Sequence, residues 1–103
     1  VKSKNRKSPL DLLKSPKTSG QLIKAFRLNF EISQMDLASI CGITQANLSS
    51  IENDKRDIGA DVALRMSAAL GVAPEIVLYP SGYESQPQFV ETKRRASALR
   101  KHG

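Results

Sequence analysis

The sequence predicts an all-α fold: five short helices closing around one core, with a basic extension at either end. Three observations carry this expectation. Apolar residues recur every three or four positions from Leu22 to Leu78, the period of helices buried on one face. Thr18, Ser33 and Thr44 stand where helix N-termini need a side-chain acceptor, and Pro74 where a first helical residue needs no N–H. Gly42 and Gly71 stand where two of the helices must stop.

The elements follow in order. VKSKNRKSPLDLLKSPKTS, with its prolines and serines, reads as largely irregular. Leu10, Leu12 and Leu13 could make one helical turn there and pack on the core or on a partner chain. Thr18-x-x-Gln21 has capping-box spacing and opens a helix whose stripe is Leu22, Ile23, Phe26 and Phe30, expected to end near Glu31. Ser33-x-x-Asp36 is a second cap, followed by inward Leu37, Ala38 and Cys41, with Ala38 small enough for a close crossing. A left-handed Gly42, an inward Ile43 and a capping Thr44 lead to a helix facing the core with Leu48 and Ile51. After a loop from Asn53 to Gly59, the residues Ala60 to Leu70 form a helix with Val62, Ala63, Met66, Ala69 and Leu70 turned inward. Pro74 opens a last core helix carrying Ile76, Val77 and Leu78, and Ala73 before it offers no side-chain cap. Pro80 and Gly82 break the pattern, and from about Phe89 a short basic helix is expected with Ala96 and Leu99 on one side.

Charge is unevenly spread. Residues 1–17 set Lys2, Lys4, Arg6, Lys7, Lys14 and Lys17 against Asp11, while residues 91–103 set five cations against Glu91. The segment between them is mildly acidic, although the whole chain carries +6. Such arms attract phosphates without regard to sequence, and solubilising tails have the same composition. One cysteine, Cys41, excludes an internal disulfide and fits a reducing cytoplasm; its place on an apolar face suggests a buried, inert thiol. No apolar run approaches the ~18 residues of a membrane span, and no leader pattern is visible. No catalytic or metal-ligand constellation stands out, so neither an enzyme nor a cofactor is expected.

The outward residues after Thr44 are the informative ones. Gln45, Ala46, Asn47, Ser49 and Ser50 are small and uncharged, where a solvent-facing helix usually carries Glu and Lys. Gln and Asn can bond adenine bidentately, Ser can donate or accept, and the Ala46 methyl can meet that of thymine. A plain solvated helix is the other reading of the same residues.

Here the sequence resembles the lambda-repressor-like helix-turn-helix family, the Cro/C1 or xenobiotic-response-element type. The resemblance is carried without a gap from about Gly20 to Leu78, by Arg27, Ser33, Gln34, Leu37, Ala38, Gly42, Ile43, Thr44, Leu48, Ile51, Glu52, Asn53, Lys55 and Arg56, then by Ala69, Leu70, Gly71 and Val72. It implies a DNA-binding domain over residues 18–79, between a basic N-terminal arm at 1–17 and a basic C-terminal extension at 80–103. It further implies that Gln45, Ala46, Asn47, Ser49 and Ser50 face base edges. Gln34, Thr44, Asn53, Lys55 and Arg56 would meet the DNA backbone, with Gln34 also orienting Gln45. Arg27 and Glu52 match a structural salt bridge between helices.

One departure is the acid at Asp54, where the family usually has Gly; it weakens the local positive field and gives the basic arms more to do. The expected function is sequence-specific binding of double-stranded DNA, as a cytoplasmic repressor dimer on a palindromic operator. Two alternatives are an antitoxin that also holds a cognate toxin protein, and a protein-interaction module without DNA binding.

Overall fold

Local chemistry sets where each helix starts. In the computed structural model, which describes residues 16–102, the helices are α1 (Ser19–Asn29), α2 (Gln34–Cys41), α3 (Gln45–Glu52), α4 (Ala60–Leu70) and α5 (Pro74–Leu78). A 3-10 turn at Tyr83–Ser85 and a further helix, α6 (Pro87–His102), follow. The expectations for the arm, including a turn around Leu10, Leu12 and Leu13, lie outside the described residues except at Pro16 and Lys17. The hydroxyls of Thr18, Ser33 and Thr44 accept from the backbone N–H of Gln21, Asp36 and Asn47, at 3.1, 3.0 and 3.0 Å. The Gln21 side chain accepts instead from the N–H of Lys17, one residue before the cap. Pro74 occupies the first turn of α5, and Ala73 makes no side-chain cap there.

The stops share one geometry. After α1, α2, α3 and α4 a residue takes positive φ: Glu31 and Asp54 at 59°, Gly42 at 70° and Gly71 at 74°. In each case the next N–H reaches back five residues, from Ile32 to Arg27, Ile43 to Ala38, Lys55 to Ser50 and Val72 to Ser67. This is the Schellman closure, which satisfies carbonyls left open at a helix end. Asp54 therefore occupies the backbone conformation for which glycine is the usual residue, and an aspartate tolerates it better than most.

α1 packs on α3, α4 and α5, while α2 packs on α3 and α4. Leu22, Ile23 and Phe26 of α1 meet Leu37, Ala38 and Cys41 of α2, Leu48 and Ile51 of α3, Ala63, Met66 and Leu70 of α4, and Val77 of α5 in one cluster. Met66 fills the centre, its sulfur 3.7 Å from Cys41 Sγ. Burial pushes the Cys41 thiol up, against a smaller opposing pull from Arg65. A thiol-reactive probe is accordingly expected to label native protein no faster than the chain unfolds, and to label one equivalent at once in denaturant. Stopped-flow thiol titration measures both.

One crossing depends on a glycine. Gly20, buried in the first turn of α1, lies against the C-terminal end of α3, where a Cβ would run into the Ile51 carbonyl oxygen and the Asp54 carboxylate. No other residue type lets α1 and α3 approach so closely.

α1 ends at Asn29, with its left-handed stop at Glu31, near where the sequence placed it. Two expectations are corrected in detail. Phe30 leaves the core: it is 37% exposed and only tilts against Phe26 at 5.8 Å. The C-terminal helix begins at Pro87 and runs for 16 residues. Its closest neighbour is the 3-10 turn, with the Tyr83 and Phe89 rings edge to face at 5.2 Å. Leu99 is 75% exposed, so the far end of the apolar side of α6 is left uncovered by the described residues. No single described helix is long and apolar enough to cross a membrane.

Candidate nucleic-acid interface

The turn between α2 and α3 fixes the direction of α3. Gly42 ends α2 with φ 70° and ψ 31°, and Thr44 restarts the chain two residues later. Leu48, Ile51 and Glu52 bury the rear of α3. Gln45 and Ala46 stand exposed on its front, while Asn47, Ser49 and Ser50 are half-buried along it.

Behind the helix lies the one buried ion pair among the described residues. Arg27 Nε donates to Glu52 Oε2 at 2.7 Å and Nη2 to Oε1 at 3.0 Å, while Nη1 donates to the Ile32 carbonyl at 3.0 Å. The parallel fork is the strongest geometry available to a guanidinium and a carboxylate. The Glu52 side chain is 1% exposed. The implied salt bridge is thus present, and it ties α1 to the end of α3.

Two contacts run outward from it. Gln34 Nε2 donates to Glu52 Oε1 at 3.2 Å, and Gln45 Nε2 donates to Gln34 Oε1 at 3.5 Å. The family resemblance implied that Gln34 orients Gln45 but gave no sign that Gln34 would also grip Glu52. Past α3, Asn53 Nδ2 folds back onto the Ser49 carbonyl at 2.9 Å, and Arg56 Nη1 donates to Asn47 Oδ1 at 2.8 Å. Lys55 is exposed and makes no side-chain hydrogen bond among the described residues. Thr44, exposed in its loop, is spent as the cap of α3.

The residues expected to act together therefore divide into three linked groups: Gln34 with Gln45 and Glu52, Asn47 with Arg56, and Ser49 with Asn53. Ala46, Ser50 and Lys55 complete the surface without side-chain partners of this kind. Gly20 is the positioning residue missed in the sequence; its signal was a poor helix former inside a helix, which costs about 1 kcal/mol without a packing reason. Among the described residues no group of three or more His, Cys, Asp or Glu is placed to hold a metal ion.

Known proteins share this fold. No curated protein sequence matches the chain. The hypothetical transcription factor NHTF from Neisseria is 31% identical, with a TM-score of 0.58 over 72% of this chain and 80% of that one. The P22 c2 repressor, solved in complex with a synthetic operator, is 25% identical, with a TM-score of 0.58 over 61% and 96%. The restriction-modification controller protein C.AhdI from Aeromonas hydrophila is 25% identical, with a TM-score of 0.55 over 66% and 97%. The helix-turn-helix family model matches residues 23–77, from within α1 to within α5. With over half its length in that match, and with α2, the Gly42 turn and α3 at its centre, the chain belongs to the lambda-repressor-like helix-turn-helix family.

Proposed function

We propose that the chain binds double-stranded DNA sequence-specifically and represses transcription as a homodimer on a palindromic operator. The observation that carries this is the front of α3: a capped, rigidly backed helix presenting Gln45 and Ala46 to solvent with no charge on them. Residues 18–79 are then the DNA-binding unit. Gln45, Ala46, Asn47, Ser49 and Ser50 lie along the base edges, and Gln34, Thr44, Asn53 and Lys55 at the backbone; Arg56, expected among the backbone group, is drawn to Asn47 instead. The P22 c2 repressor was solved on an operator, which supports the reading. A cytoplasmic setting agrees with it and with the free thiol of Cys41.

Selection from random duplexes tests the function. An enriched site, with Gln45→Ala losing ~1–3 kcal/mol at a single base pair, is the expected result. Lys55→Ala should weaken all duplexes alike and flatten the salt dependence. A reversed pattern, or no enrichment at all, would sink the assignment.

The second copy would sit on α6. Tyr79, Tyr83, Phe89 and Ala96 line an open groove of about 700 Å³ that the described residues leave unfilled. Multi-angle light scattering is expected to show a dimer of the full chain, dispersed by Phe89→Asp. A monomer at high concentration, free and on DNA, would refute the dimer. A cognate toxin, the alternative in which the basic arms hold a partner, would appear as a second species co-purifying from the native host.

A further inference from the structure

Asn47 and Arg56 form one device, and its geometry bears on which base the chain reads; the inference rests on the DNA-binding function proposed above. Arg56 lies beyond the end of α3, yet its Nη1 donates to Asn47 Oδ1 at 2.8 Å. Asn47 is the third residue of that helix. At 1.5 Å per residue, the Arg56 side chain runs back about 7.5 Å along α3 from Glu52. Its guanidinium is thereby carried away from the C-terminal end of the helix, where a backbone clamp would belong. It arrives beside the N-terminal turn, the part of a recognition helix that meets base edges.

The same bond decides what each side chain still offers. To read adenine, Asn47 needs its amide oxygen and an amide N–H together. That oxygen already accepts from a charged donor, the stronger class of hydrogen bond. Asn47 is also half-buried. Arg56 has engaged only Nη1, and its Nε and Nη2 edge carries no hydrogen bond among the described residues. Those two parallel donors match the O6 and N7 acceptors of guanine. We propose that Arg56 reads a guanine in the major groove and that Asn47 is its positioning residue, holding the guanidinium at the base-facing end of α3.

The full chain, its enriched duplex and three variants test this. Arg56→Ala is expected to lose about 5- to 150-fold in discrimination at one G·C pair while leaving other positions unchanged. Asn47→Ala should lose part of the discrimination at that same pair, and the double variant no more than Arg56→Ala alone. Substituting 7-deazaguanine at the pair should weaken wild type and leave Arg56→Ala indifferent. The proposal is overturned if Arg56→Ala weakens every duplex equally and lowers the salt slope by about one phosphate, which marks a backbone contact. It is equally overturned if the Asn47 and Arg56 variants act at different base pairs. Failure of wild type to enrich any duplex would remove the DNA-binding function itself, and this inference with it. In the other two failures DNA binding survives, so the results remain distinct.

Discussion

Arg27→Met is expected to lower folding stability by about 3–5 kcal/mol. The loss comes from stranding a carboxylate more than from losing an attraction. Glu52 is 1% exposed, and two of the Arg27 nitrogens neutralise it. Without them only Gln34 remains to solvate the charge. The carbonyl of Ile32, whose N–H closes the turn after α1, loses a donor as well. A domain of this size holds about 5–15 kcal/mol in total, so the variant stands near the edge of folding. Arg27→Met/Glu52→Leu should recover most of the loss, since two apolar groups of similar volume need no partner. Urea titration followed by far-UV circular dichroism measures both proteins. A single-variant loss below about 1 kcal/mol would mean the pair behaves like a solvent-screened surface bridge.

Gly20→Ala is expected to cost about 3 kcal/mol, although alanine is the better helix former by about 1 kcal/mol. Two effects compete, and packing wins. The new methyl meets the Ile51 carbonyl oxygen, which belongs to backbone and cannot rotate away. The Glu52 carbonyl and the Asp54 side chain close the other directions. Relief requires α1 to lift off the end of α3, and this breaks interdigitated packing at Leu22 and Ile51. Overpacking of this kind costs about 1–3 kcal/mol, and more where the neighbour is rigid. The same shift would tilt α3, so the variant should bind its duplex more weakly even where it remains folded. Thermal melting and a duplex titration at 15 °C separate the two effects. A variant more stable than wild type would show that the crossing is loose.

The parts of the fold legible in the sequence are those governed by short-range chemistry. Thr18, Ser33 and Thr44 cap within three residues of themselves, and Gly42 and Gly71 adopt a conformation few other residues accept. The stops at Glu31 and Asp54 use that conformation without glycine, so composition did not mark them as left-handed. At Asp54 only the family pattern pointed to the position. Gly20 escaped because its reason lies thirty residues downstream, in a carbonyl of α3. Phe30 misled because its spacing continued a helix that the chain had already ended. In the interface, the residue types of α3 were readable, but the pairing of Arg56 with Asn47 and of Gln34 with Glu52 was not. Those bonds depend on side chains folding across loops, which no local period encodes.

The chain of contacts from Glu52 to the surface also fixes a direction. A carboxylate can only accept, so the Gln34 amide must turn its nitrogen inward and its oxygen outward. That oxygen, in turn, requires the nitrogen of Gln45. Gln45 is left with its oxygen and one N–H unspent, in an order that rotation of its amide would spoil. An ordinary surface glutamine shows either end to solvent with equal ease. Here the orientation of an exposed amide is dictated by the sign of a charge two contacts away and sealed from water, so Glu52→Gln would leave the amides of Gln34 and Gln45 free to turn either way.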